Sequence, residues 1–99
     1  MAIFAITFRI HNDATYERRY NSVVEAIKKQ TTSKYWDEPT SFFLIENSLN
    51  STDLANSINQ SSELNEDRDL LLVVNLSAKG YQAVGLVRDD DIHELMKKR

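Results

Sequence analysis

Apolar residues alternate at the start of the chain: Ala2, Phe4, Ile6, Phe8 and Ile10 fall on one side, Ile3, Ala5, Thr7 and Arg9 on the other. A period of two predicts a strand. His11-Asn12-Asp13 interrupts it with residues that suit turns, and Asn12 or Asp13 is expected to cap the helix that follows. From Tyr16 the period lengthens. Tyr16, Tyr20, Val23, Val24 and Ile27 form one stripe of an amphipathic helix running to about Gln30, with Glu25 and Lys29 spaced to pair on its outer side.

A hairpin is expected over residues 33–46. Lys34-Tyr35-Trp36 reads as a short strand, Asp37-Glu38-Pro39-Thr40 as its turn, and Ser41 to Glu46 as the returning strand. Ser51 is the expected N-cap of a second helix carrying Leu54, Ala55 and Ile58, with Asp53 complementing its dipole. A polar connector, Asn59 to Asp67, leads to an apolar run at Leu70–Leu76. Tyr81-Gln82-Ala83-Val84, between Gly80 and Gly85, suits a short extra strand. Asp89-Asp90-Asp91 then opens a last helix with Ile92, Leu95 and Met96, closed by Lys97-Lys98-Arg99. The order β-α-β-β-α-β predicts an α+β fold, a ferredoxin-like sandwich with a short C-terminal extra strand and helix. We take residues 1–99 as a single domain, with a core over 1–77 and a tail over 78–99.

Two helices cover only one side of such a sheet, and a wetted opposite side should be polar at alternate positions. The runs Phe42-Phe43-Leu44-Ile45 and Leu70–Val74 are instead apolar at successive positions, and Ile3 and Ala5 add to the second face. Patches of that size are usually covered. Either the tail folds across it, or a second subunit does. The homodimer is the reading carried forward, with Ile3, Ala5, Phe43 and Ile45 at its interface.

Composition narrows the chemistry. The 99 residues contain no cysteine, which excludes disulfides and thiolate metal sites. The apolar N-terminal run is too short to span a bilayer, so no membrane association and a cytoplasmic location are expected. Net charge is −3, but residues 1–35 hold six Lys/Arg against three Asp/Glu. Arg9, Arg18 and Lys29 could therefore meet phosphates, although an overall acidic chain is unlike most nucleic-acid binders. His11 and Asp13 could bind a metal or share a proton. Two ligands are too few for a site, and helix capping explains the loop more simply. Asp89-Asp90-Asp91 with His93 offers oxygen ligands for Mg²⁺, but the helix dipole accounts for the acids. No phosphate-binding glycine loop or serine elbow is present.

The opening strand Ala2–Arg9, the stripe Tyr16–Ile27, the hairpin Tyr35–Ile45 and the run Leu70–Leu76 together resemble a known group. It comprises small bacterial proteins related to the CRISPR-associated adaptation nuclease subunit and to virulence-associated protein D (VapD). The resemblance covers nearly the whole chain and lies in hydrophobic rhythm. It implies a ferredoxin-like homodimer and, for catalytic members, Mg²⁺- or Mn²⁺-dependent cleavage of RNA or DNA. Nucleases of that group carry an Asp near the end of the first strand. Arg9 stands at the matching position, and its fixed positive charge would repel the ion. The expectation is thus a non-catalytic or catalytically degenerate dimeric module that binds or regulates a protein partner. The alternative is a metal-dependent ribonuclease, deoxyribonuclease or toxin using His11 and Asp13, and nucleic-acid binding without cleavage is a third.

Overall fold

A computed structural model describes residues 1–99. Its elements run β1 (Ala2–Arg9), α1 (Tyr16–Lys29), β2 (Tyr35–Trp36), β3 (Phe42–Asn47), α2 (Ser51–Gln60), β4 (Leu70–Asn75), β5 (Tyr81–Gly85) and α3 (Asp91–Lys97). The strands form one five-stranded sheet in the order β2-β3-β1-β4-β5, and every neighbouring pair is antiparallel. The chain is an α+β protein. The strand read from the first ten residues occupies the middle of the sheet, and β5 extends it past β4, so β4 is interior too.

One face of the sheet makes the core. Phe4 and Ile6 of β1 are fully buried, flanked across the ladder by Ile45 and Phe43 of β3, and Ile6 by Val73 of β4. Against them lie Val23, Ala26 and Ile27 of α1 and Leu54, Ala55 and Ile58 of α2. Tyr20 stacks tilted on Phe8, ring centroids 5.2 Å apart. Of the α1 stripe, Val23 and Ile27 are buried and Tyr16, Tyr20 and Val24 pack partly buried against the core, while Glu25 and Lys29 form no ion pair.

Two capping expectations are corrected. Asn50, not Ser51, is the N-cap of α2: its side-chain oxygen accepts the Asp53 N–H at 2.8 Å, the geometry a cap requires. Ser51 becomes the first helical residue and is buried. At α1 the N-cap position is Thr15, without a side-chain cap; Asp13 instead accepts the Thr15 N–H from two residues upstream.

The interface expected of Phe43 and Ile45 is also corrected. They are 3% and 2% exposed and point into the helix-covered core, while Phe42 and Leu44 take the opposite face. A strand apolar on both sides carries no mark of its parity, and moving the register by one residue exchanges the faces. Pairing of Ile6 with Phe43 decides it.

The tail bends back over the far half of the second face. Ile92 faces Leu70, Leu72 and Ala83 across a small cavity. Polar contacts fasten it: the Tyr81 hydroxyl and His93 Nδ1 share a hydrogen bond of 2.7 Å, and Arg99 donates to the carbonyls of Asn75, Lys79 and Gly80. No α3 side chain is buried. The turn into this tail depends on Gly85, at φ +109°, where the chain folds against Asp69 so that Leu86 N–H reaches the Asp69 carbonyl at 2.8 Å. A Cβ at position 85 would stand 2.1 Å from that oxygen. Gly85→Ala is expected to lower the unfolding free energy by about 2 kcal/mol or more, measured by urea denaturation.

Candidate functional site

Where β1 gives way to α1, the side chains expected to do chemistry are tied into a charged network. Arg19 is 6% exposed and Asp69, immediately before β4, is 0% exposed. The two form an ion pair across the core edge. Asp69 Oδ1 also accepts the His11 N–H at 2.8 Å, and Oδ2 the Asn65 N–H at 2.8 Å. The remaining Arg19 donors reach Thr15 Oγ1 at 3.0 Å, the His11 carbonyl at 2.8 Å and Asp13 Oδ2 at 3.0 Å. Both buried charges are thus paired and hydrogen-bonded, the condition under which burial is tolerated.

Burial opposes ionisation of Asp69. The Arg19 hydrogen bond, the two backbone N–H donors and the guanidinium charge together outweigh it and hold its pKa below the usual 3.8. Asp13 is pulled down to about 2, chiefly by the Thr15 hydroxyl and N–H, then by Arg19. A carboxylate with a lowered folded pKa stabilises the fold fully above its unfolded value, and that stability is lost as pH falls towards the folded one.

The network settles what the His11–Asp13 loop can offer. His11 contributes its backbone, and its ring is exposed. Asp13 Oδ1 is taken by Thr15, and Oδ2 by Arg19 and Arg68. A divalent cation needs several free oxygen ligands. No three His, Asp or Glu side chains converge anywhere in the chain, Asp89-Asp90-Asp91 and His93 included. Within one chain the loop presents Mg²⁺ or Mn²⁺ with no cluster of free carboxylates.

The cationic trio is not brought together either. Arg9 lies on the second face of the sheet and donates to the Leu86 carbonyl at 3.2 Å. Arg18 and Lys29 lie on α1, behind the opposite face, and Arg18 pairs with Glu63. Eleven residues of helix separate these two by about 16 Å.

What remains uncovered is half of the second face. Beyond the reach of α3, Ile3, Ala5 and Thr7 of β1 stand beside Phe42, Leu44 and Glu46 of β3, with Trp36 of β2 against Phe42. Ile3 is 40% and Trp36 43% exposed. Ile3, Tyr35, Trp36 and Leu44 line an apolar groove there, with Lys34 and Glu46 on its rim. Ile3 and Ala5 are thus placed as expected; Phe42, Leu44 and Trp36 join them.

By sequence Arg19 counts only among the six cations of residues 1–35 and Asp69 has no assigned role, although both carry signals. Arg19 falls three residues after Tyr16 and four before Val23, inside the apolar stripe, and Asp69 directly abuts a buried strand. No family model, curated protein or solved structure matches the chain.

Asp69→Ala leaves Arg19 buried without its partner and is expected to destabilise the fold by about 3–5 kcal/mol, read from denaturant midpoints. In the wild type, unfolding free energy should hold steady from neutral pH down to about pH 5 and fall between pH 4 and 2. Asp13→Asn should make that fall shallower.

Proposed function

We propose that this chain is a dimeric, non-catalytic interaction module. The strand order β2-β3-β1-β4, with α1 and α2 packed on one face, supports a ferredoxin-like sandwich to which β5 and α3 are appended. The observation that carries the reading is the division of the second face. The tail shields part of the β4–β5 half, while in the other half Ile3 and Trp36 are exposed and Ala5, Phe42 and Leu44 beside them are only partly buried.

A second copy offers the same apolar half-face, and a two-fold axis can set the two against each other. Stacked sheets lie about 10 Å apart. A helix packed on a sheet rises by a similar distance, so α3 of each copy would flank the other sheet rather than obstruct it. The committed oxygens of Asp13 and the cation at Arg9 favour a binding role over metal-dependent cleavage.

Ile3→Asp places a charge in the apolar half-face and is expected to raise the dimer dissociation constant by about 100-fold, measured by sedimentation. Purified protein incubated with labelled RNA and DNA in Mg²⁺ or Mn²⁺ should leave both intact. Chelator-sensitive cleavage that disappears in Asp13→Ala would establish the nuclease reading instead.

A further inference from the structure

The two edges of the sheet are protected unequally. At one edge β2 has only two residues and runs straight into Asp37-Glu38-Pro39, and short strands, charges and proline all discourage further strand pairing. At the other edge β5 is five residues long, Tyr81-Gln82-Ala83-Val84-Gly85, without a charge or a proline. Its inner backbone groups are accounted for. Asn75 N–H donates to the Gly80 carbonyl at 2.9 Å and Leu86 N–H to Asp69 at 2.8 Å, so the even-numbered positions between them also face β4. Tyr81, Ala83 and Gly85 therefore turn their N–H and C=O groups outward. One device covers part of this edge: the Gln82 side-chain amide donates to the Ala83 carbonyl at 2.9 Å. The Ala83 N–H has no such cover.

We propose that the β5 edge pairs with β5 of a second copy, antiparallel about a two-fold axis at Ala83, continuing the sheet across the contact. The strand is complementary to itself in that register. Ala83 meets Ala83 of the second copy, where a small side chain allows close approach. Tyr81 meets Gly85 of the second copy, a position without a side chain to crowd the Tyr81 ring held by His93 and Arg99. Charge favours the same orientation. Lys79 and Arg99 gather at one end of β5 and Asp89-Asp90-Asp91 follows the other, and antiparallel pairing sets unlike ends side by side. The Gln82 amide must swing off the Ala83 carbonyl and give up the bond its Oε1 accepts from the Thr52 hydroxyl at 3.0 Å, a side-chain rotation at a partly exposed position. This contact is separate from the apolar half-face and does not depend on it.

Ala83→Pro isolates the contact. The proline removes an N–H that has no acceptor in its own sheet, so circular dichroism and melting temperature should stay at wild-type values while the assembly in sedimentation falls to no more than the dimer held by the apolar half-face. In the wild type, exchange of the Ala83 amide proton should slow by about tenfold or more as concentration carries the protein from dissociated to assembled. An assembly of unchanged mass in Ala83→Pro, or an Ala83 amide that exchanges freely in the assembled wild type, overturns the proposal. Loss of assembly in Ile3→Asp with none in Ala83→Pro leaves the half-face reading standing and removes this one. A wild type that stays monomeric at the highest soluble concentration removes both.

Discussion

The ion pair between Arg19 and Asp69 is the constraint around which the rest is arranged. Its side chains join α1 to the entry of β4, and its secondary hydrogen bonds reach the end of β1 through His11 and the 61–68 connector through Asn65. The Asp69 main chain adds two more ties: its N–H donates to the Asn65 carbonyl at 2.7 Å, and its C=O accepts Leu86 N–H where the tail departs. Three segments distant in sequence, the end of β1, α1 and the start of the tail, are thus tied by Asp69 to the connector just before it. An apolar pair of the same volume would not replace it, because the part-buried hydrogen bonds from the His11 and Asn65 N–H groups would lose their acceptor.

That arrangement also dictates what the loop after β1 is for. A carboxylate engaged by a hydroxyl, an N–H and two guanidinium groups is a structural anion, held ionised well below neutral pH. Asp13 orients Arg19, and Arg19 holds the His11 carbonyl. Both oxygens of Asp13 are spent on geometry, and two surfaces stand apart from this network: an apolar half-face and an unpaired edge.

Much of the fold was legible in the sequence. The alternation of β1, the α1 stripe and the dipole-matched charges of α3 all act within a few residues, so period and end chemistry identify them. The β3 register was not legible, because Phe42-Phe43-Leu44-Ile45 offers apolar side chains to either side and only pairing with β1 selects Phe43 and Ile45 for the core. The cap of α2 slid by one residue for a similar reason: Asn50 and Ser51 are both good caps, and hydrogen-bond geometry chooses between them.

The candidate site divides the same way. Its apolar component could be read from Ile3 and Ala5, since the face of a strand follows from its period alone. Its electrostatic component could not, because Arg19 and Asp69 are fifty positions apart and neither position alone tells which residue its partner will be. By itself the sequence determined the elements, their order and the excess of apolar surface, all consequences of local spacing. Only the tertiary structure decided which face each strand presents, which charges are buried together and how far the tail reaches, because these depend on contacts between segments that local spacing does not encode.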